Sequence, residues 1–198
     1  MPGPSVRGIF ILKFDADLVT LAPAKEAVMP DSAQTVKSPI LNVNDAELMP
    51  RPPQMAPTGP AAERFDGARV ALIGKTLGAQ KLGYSVVAIP PGKRAFPFHN
   101  HRSNEEMFYI LEGEGTLRFG ATSYAVKAGD VVACVPGDET VAHQFVNTGT
   151  VELKYLGVST NLLPDVADYP DSGKFGVLDN GFSFVGRRNE SVPYWDGE

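Results

Sequence analysis

The chain contains three histidines, and their positions suit a shared metal site. His99 and His101 stand two residues apart in the segment FHNHRSNEEMFYILEGEG, and His143 completes the set within a 45-residue window. Glu105 and Glu106 follow the pair closely, so a carboxylate lies within reach of the same point. Imidazole nitrogens with one carboxylate oxygen suit Zn, Mn, Fe, Co, Ni or Cu. The sequence therefore predicts a site of three nitrogens and one oxygen.

The HxH spacing favours a strand as the element that carries the first two histidines. Side chains at i and i+2 share one face of a strand but point roughly 200° apart around a helix. The flanking residues agree, because Phe96, Phe98 and the run 107–111 are aromatic or aliphatic and lie between Gly92 and Gly113. Alternation along such a strand sends Glu105 and Glu106 to opposite faces. Both faces are apolar, so periodicity leaves the choice between them open.

Short apolar runs separated by turn signals dominate the chain from about residue 68 onwards. The runs are RVALIGKTL, YSVVAI, EMFYIL, GTLRFG, TSYAVK, DVVACV, AHQFVN and VELKYLGV. Each connecting segment carries the glycine, proline, asparagine or aspartate of a tight turn. Many short strands without helix-length amphipathic segments predict an all-β sandwich or barrel.

The two ends of the chain differ from this middle part. Residues 1–67 are rich in proline and lack a sustained period, which predicts a mostly irregular N-terminal arm. Residues 1–28 are an upstream extension if the chain starts at Met29 instead of Met1. Residues 68–160 form the predicted barrel. Residues 161–198 are rich in aromatic side chains, which predicts an extension that packs on the barrel or on a partner subunit.

Composition excludes several classes of function. The formal net charge of -5 and the pI near 5.2 argue against a nucleic-acid partner, which needs a basic face. The single Cys134 permits no intramolecular disulfide and reads as a small buried hydrophobe. No run approaches the roughly 18 apolar residues that span a bilayer. We therefore expect a cytoplasmic protein with neither a membrane nor a nucleic acid as its partner.

Two ordered motifs in this middle part resemble those of the cupins. The first cupin motif, G-x5-HxH-x3,4-E-x6-G, is matched with six residues instead of five after the first glycine by Gly92, His99, His101, Glu106 and Gly113. The second motif, G-x5-PxG-x2-H-x3-N, is matched less closely by Gly129, Pro136, His143 and Asn147. Gly137 directly follows the proline, and six residues separate Pro136 from His143.

This resemblance implies a single jelly-roll β-barrel that holds one divalent metal ion per chain, Zn, Mn, Fe or Ni. It selects Glu106 over Glu105, so the implied ligands are His99, His101, Glu106 and His143. The segments YPDSGK and YWDGE resemble those of single-domain bacterial cupins of unsettled function, some of which are labelled as sugar-phosphate isomerases. A homodimer is expected, because cupin barrels often pair through edge strands and terminal arms.

Further residues are candidates for the lining of the pocket. Phe108, Ile110 and Phe145 are candidate apolar walls, and Tyr84 and Tyr155 offer hydroxyl tips. The leading interpretation is a metal-binding cupin that binds or acts on a small oxygen-rich molecule, such as a sugar, sugar phosphate or carbonyl compound. No separate general base stands out, so an isomerase and a metal-dependent dioxygenase both remain open, beside a non-catalytic binder. A storage protein is disfavoured, because such cupins typically have paired barrels and often lose ligands.

Overall fold

The computed structural model describes residues 38–198, so the prediction for residues 1–28 lies outside the described part. The chain is built mainly from β-strands, which confirms the prediction of an all-β architecture. The strands are β1 (Met49–Pro50), β2 (Arg69–Ala71), β3 (Leu82–Ile89), β4 (Asn100–His101), β5 (Glu106–Glu112), β6 (Glu114–Phe119), β7 (Thr122–Lys127), β8 (Val131–Cys134), β9 (His143–Val146), β10 (Leu153–Thr160), β11 (Asp165–Tyr169), β12 (Lys174–Asp179) and β13 (Phe182–Arg187). The α-helices are α1 (Ala62–Phe65) and α2 (Ile73–Leu77). Short 3-10 helices span Val43–Asp45, Pro53–Met55, Gly59–Ala61, Glu139–Val141, Pro170–Ser172 and Arg188–Glu190.

Three antiparallel sheets organise the strands. The largest has the order β1-β2-β3-β10-β5-β8, the second the order β7-β6-β9, and the third the order β13-β12-β11-β4. Strands far apart in sequence therefore become neighbours, since β3 and β5 both pair with β10. This topology brings the segment with the HxH pair, β5 and β9 together around one interior.

The main core lies between the first two sheets. Alternate residues of β5 and β10, among them Phe108, Ile110 and Tyr155, point inwards and meet Leu117 of β6 and Phe145 of β9. Each of these five side chains is buried. Burying such side chains stabilises the fold by about 1.5–3 kcal/mol each, which is the main reason why the two sheets pack face to face.

The N-terminal segment covers part of the outer surface of the largest sheet. Leu41, Val43 and Leu48 pack against a second apolar cluster that includes Ile73 of α2 and Val86 of β3. The outward-facing side of the sheet is thus shielded at β3, and Leu111 of β5 also packs against this cluster. None of the helices within residues 38–198 is long and apolar enough to cross a membrane.

The run RVALIGKTL is not a continuous strand, contrary to the sequence prediction. Only Arg69–Ala71 is extended, and Ile73–Leu77 forms α2. Gly78 ends this helix in the left-handed conformation, with φ of 82°, and its amide donates to the carbonyl groups of Gly74 and Lys75. A glycine at this position is a common helix terminator, because it adopts positive φ without a Cβ clash. The apolar run alone gave no sign of the change.

The C-terminal strands β11 to β13 form the third sheet together with β4 of the HxH segment. β11 pairs with β4, so that Ala167 faces His101 and Asp168 faces Asn100. Tyr169 is buried. The final aromatic residues, Tyr194 and Trp195, are instead largely exposed.

Candidate metal centre and its cavity

Two reciprocal backbone hydrogen bonds join His99 to His143. The amide of His99 donates to the carbonyl of His143 over 3.2 Å, and the amide of His143 donates back over 2.7 Å. This pair of bonds joins the segment before β4 to β9. The ring centroids of the two histidines lie 4.7 Å apart. The main chain therefore fixes the separation of the two imidazoles.

Glu106 lies beside these histidines at the start of β5. One nitrogen each of His99 and His143 and one carboxylate oxygen of Glu106 all lie within 4.8 Å of one another. The Oε2 atom of Glu106 is 2.9 Å from Nε2 of His143. Glu105, the alternative at the sequence level, has an exposed side chain. Of the two glutamates, Glu106 is the one the structure brings to the histidines.

His101 approaches the same carboxylate from the other side. Its Nε2 lies 3.5 Å from Oε2 of Glu106, and its ring centroid is 5.1 Å from that of His99. Its second nitrogen, Nδ1, is 2.6 Å from Oδ2 of Asp165 on β11. His101 is therefore adjacent to the group formed by His99, Glu106 and His143. The carboxylate of Asp165 binds the ring nitrogen that faces away from Glu106.

His99 and Glu106 have the protonation states that favour the binding of a cation. Nδ1 of His99 donates to the carbonyl of Pro97 over 2.8 Å, which leaves Nε2 with its lone pair. Burial, with the charges of His143 and His101, lowers the pKa of His99 to about 3. Burial alone would raise the pKa of Glu106, but the neighbouring histidines outweigh it and lower the value to about 2. A neutral imidazole and an ionised carboxylate are the forms that bind metals.

Polar atoms without partners indicate that the site fits a metal ion. Oε2 of Glu106 and both ring nitrogens of His143 are buried and make no hydrogen bond to the described residues. The 2.9 Å approach between Oε2 and Nε2 is short, but it lacks hydrogen-bond geometry. Buried polar atoms are normally satisfied, and leaving one unpaired costs about 1–3 kcal/mol. A divalent cation would satisfy this donor set, which is of the type that Zn and related ions accept.

Cys134 is close to the site but has the wrong protonation state for a ligand. It pairs across the sheet with Glu106 and is buried in the main core. Burial and the nearby carboxylate raise the pKa of its thiol to about 12. Because the thiolate is the form that binds metal, Cys134 behaves as the small buried hydrophobe that the sequence predicts.

A cavity of about 620 Å³ opens onto these residues. Of the predicted pocket residues, four lie in its lining: Tyr84, Phe108, Phe145 and Tyr155. Ile110 is fully buried in the core and does not line the cavity. Tyr155 is only 1% exposed, and its hydroxyl makes no hydrogen bond to the described residues. Burial, with the charge of Glu106, raises the pKa of Tyr155 far above its ordinary value, so this hydroxyl keeps its proton.

The middle of the chain matches a known family. Residues 85–159 match the family model of the cupin domain. The chain contains a cupin domain. Within this cupin domain lie all three histidines, Glu106 and the lining residues Phe108, Phe145 and Tyr155, whereas Tyr84 directly precedes it. β11 to β13 lie outside it.

Two curated proteins are similar to the cupin domain over part of their length. The oxalate-binding protein of Thermotoga maritima is 33% identical over 75 residues, which are 38% of this chain and 59% of that protein. An uncharacterised protein of Methanocaldococcus jannaschii is 35% identical over 68 residues, 34% of this chain and 51% of that protein. The chain thus spans little more than half of the length of each relative.

Two solved structures resemble this chain over more of its length. A sugar phosphate isomerase of the cupin superfamily from Silicibacter pomeroyi has a TM-score of 0.68 at 24% identity, over 80% of this chain and 98% of its own. A protein from Acidithiobacillus ferrooxidans, named as a candidate sugar phosphate isomerase, has a TM-score of 0.58 at 29% identity, over 64% of this chain and 80% of its own. The fold is therefore similar to the cupin jelly roll, as the sequence motifs predict.

Sequence reasoning missed two parts of the site. Asp165 lies 64 residues from His101 along the chain, and no motif connects them. The loop after α2 also contributes to the lining of the cavity, through Gly78, Ala79 and Gln80. The only signal for Asp165 was its place in a segment that was expected to pack on the barrel.

Proposed function

We propose that this cupin holds one divalent cation with His99, His101, Glu106 and His143, and that it binds a small oxygen-rich molecule there. The observation that carries the proposal is the group of buried donor atoms within 4.8 Å of one another at the cavity wall. Within that group, Oε2 of Glu106 and both ring nitrogens of His143 make no hydrogen bond to the described residues. A bound cation would supply Lewis-acid polarisation of a ligand oxygen.

The lining of the cavity supports a compact, oxygen-rich ligand. Beside the aromatic wall, it presents hydroxyl and amide side chains that make no hydrogen bonds to the described residues: Gln80, Ser85, Tyr155, Asn161 and Asn180. Such groups bind hydroxyl, carbonyl and carboxylate oxygens. The described lining contains no arginine, the side chain best shaped for bidentate binding of phosphate. These features favour a sugar or a small carbonyl or carboxylate compound over a ligand dominated by its phosphate.

The named relatives supply two probes for this proposal. Oxalate is the ligand in the name of the relative from Thermotoga maritima, and sugar phosphates are the substrate class in the names of the two similar structures. Both probes are small enough for a cavity of about 620 Å³. We expect oxalate to bind the cation-loaded protein more tightly than glucose 6-phosphate, because the lining offers no guanidinium for the phosphate.

Metal binding is the first test, and the chain offers a matched pair of variants. Protein purified without an affinity tag is analysed for bound metals and then titrated with Zn²⁺, Mn²⁺, Fe²⁺ and Ni²⁺. We expect one ion per chain in the wild type, a loss of affinity of at least a hundredfold in Glu106→Gln, and no change in Glu105→Gln. Absence of binding in the wild type, or equal affinities for the two variants, would overturn the proposal.

A non-catalytic binder is the second candidate. It is supported by the described lining, in which every histidine and carboxylate is either a proposed ligand or, as with Asp165, already hydrogen-bonded. Outside the proposed ligands, the titratable side chains of the described lining are Lys75, Tyr84, Tyr155 and Asp165. Asp165 already accepts two hydrogen bonds, and Tyr155 keeps its proton. Turnover of a sugar phosphate by the loaded protein would exclude this candidate. Bound iron with oxygen consumption would instead favour the dioxygenase.

A further inference from the structure

Asp165 stands behind one of the proposed cation ligands. It is the first residue of β11, only 3% exposed, and lies outside the part of the chain that matches the cupin domain. Its Oδ2 accepts from Nδ1 of His101 over 2.6 Å, and its Oδ1 accepts from the amide of Ser103 over 3.0 Å. Both carboxylate oxygens therefore have defined partners, and the carboxylate has one orientation.

The pairing of β11 with β4 puts the carboxylate at this place. The amide of Arg102 donates to the carbonyl of Val166 over 2.8 Å, beside the bridges that join His101 to Ala167 and Asn100 to Asp168. The C-terminal sheet is therefore attached to the HxH segment by main-chain bonds as well as by side chains.

A second buried carboxylate strengthens the same junction without touching a histidine. Asp168 accepts from Arg102 over 2.8 Å, from Arg188 over 2.7 Å and from Asn100 over 3.3 Å. It lies on the same strand as Asp165 and contacts the same segment. A substitution of Asp168 therefore serves as a control, because it weakens the attachment of β11 to β4 without removing a contact to a histidine.

The contact of Asp165 decides which nitrogen of His101 is available. A carboxylate only accepts, so Nδ1 must carry the proton, and the lone pair of the neutral ring stays on Nε2. That atom lies 3.5 Å from Oε2 of Glu106, on the side of the proposed cation. His99 is held in the same tautomer by the neutral carbonyl of Pro97. Of the two rings, only His101 donates its Nδ1 proton to a charged acceptor. A charged acceptor raises the basicity of the other ring nitrogen, Nε2, and so makes it a stronger electron-pair donor to a metal.

We propose that Asp165 is a positioning residue that fixes the tautomer and orientation of His101 and so raises the affinity of the site for its divalent cation. The proposal rests on the cation site described above. It assigns to the C-terminal sheet a direct part in that site, beyond its packing.

The test measures Zn²⁺ affinity by competition with a chromophoric chelator in four full-length proteins. These are the wild type, Asp165→Asn, Asp165→Ala and the control Asp168→Asn. Loss of such an outer carboxylate typically lowers metal affinity about 10–100-fold. We expect losses within that range for both Asp165 variants, larger for alanine. Asp168→Asn should unfold at a lower temperature but bind Zn²⁺ within about twofold of the wild type, because it contacts no proposed ligand.

A spectroscopic measurement separates positioning from mere stability. Nitrogen-15 NMR of the metal-free proteins at alkaline pH identifies the nitrogen of His101 that carries the proton. We expect the proton on Nδ1 in the wild type and in Asp168→Asn, and a mixture of tautomers in Asp165→Asn and Asp165→Ala. Circular dichroism shows which variants are folded.

Each outcome decides something. If the wild type binds Zn²⁺ and the Asp165 variants bind it equally well, the inference is wrong and the cation site stands. If the wild type binds no divalent cation, the proposed function and the inference fail together. If the Asp165 variants do not fold, the wild-type spectrum decides, because a proton on Nε2 of His101 would contradict the inference.

Discussion

At the scale of the residue, the local signals in the sequence were strong. The HxH pair, the glutamate five residues after it and the distant third histidine all come together in the structure, although they lie on three separate elements. Spacing alone left Glu105 and Glu106 equivalent, and only the resemblance to a family separated them. Asp165 could not have been found in this way, because its contact depends on strand pairing 64 residues away.

Tyr155 offers a prediction about ligand binding. Tyr155 lines the cavity, and its hydroxyl makes no hydrogen bond to the described residues and stays protonated. Tyr155→Phe removes one donor, so the affinity for oxalate should fall about tenfold, the effect of a hydrogen bond worth about 1–1.5 kcal/mol. Calorimetry of the Zn²⁺-loaded protein checks this. Zn²⁺ affinity itself should not change, and neither measurement should change in Tyr109→Phe, which lies outside the cavity.

At the scale of the element, turn and strand signals identified most strands but not the short helix. Glycines mark the turns correctly, yet Gly78 ends α2 instead of a strand. The apolar run before Gly78 is too short for its hydrophobic period to distinguish a helix of five residues from an extended segment. β4 has only two residues, so its existence follows from pairing with β11 and could not be predicted from propensity.

Two motif glycines make a matched test of these turns. Gly113 and Gly129 both have positive φ, 78° and 96°. A Cβ on Gly129 would meet no atom within 4 Å, whereas a Cβ on Gly113 would collide with the carbonyl of Glu152. Gly129→Ala should cost about 1–2 kcal/mol for the backbone conformation alone, and Gly113→Ala clearly more. Urea unfolding measures both, and equal losses would contradict this account.

The junction of β4 and β11 predicts a dependence of stability on pH. Burial alone would raise the pKa of Asp168, but hydrogen bonds from Arg102, Asn100 and Arg188 outweigh it and lower the pKa below 3.8. The ionised carboxylate therefore stabilises the fold above its unfolded pKa, and this contribution disappears as the pH falls through the lowered folded value. The loss of stability in Asp168→Asn should be full near neutrality and shrink in acid. Urea unfolding across the acid range checks it.

The control for this experiment is Asp196→Asn, at an exposed carboxylate near the end of the chain. It should change the free energy of unfolding little at any pH. A difference between wild type and Asp168→Asn that stays constant down to strongly acidic pH would show that the interaction is not ionic.

At the scale of the whole molecule, the cupin domain and its similarity to solved cupins were predictable from the order of the two motifs. The arrangement of the C-terminal residues was not, because their aromatic content predicts burial without saying against which surface. The structure divides them, with Tyr169 buried near the site and Trp195 76% exposed. The expected homodimer stays a prediction.

An apolar surface on the largest sheet is where we expect two copies to meet. Met107 and Tyr109 of β5 pair with Ala133 and Val131 of β8, and this exposed strip lies at the edge of the sheet. A charge there should separate the subunits. Tyr109→Glu should therefore be monomeric by light scattering while Tyr124→Glu, on another sheet, stays dimeric. A wild-type monomer would contradict the prediction.

The reciprocal backbone bonds between His99 and His143 bear on how the protein would take up the proposed cation. Many small metal-binding domains fold only when the metal arrives, since their ligands are otherwise dispersed. Here the separation of two proposed ligands is set by amide–carbonyl pairing that does not involve an ion. Dialysis against a chelator should therefore leave the circular dichroism spectrum intact. The amide of His143 should remain among the slowest to exchange with deuterium. The ion would then bind to a site that is already folded.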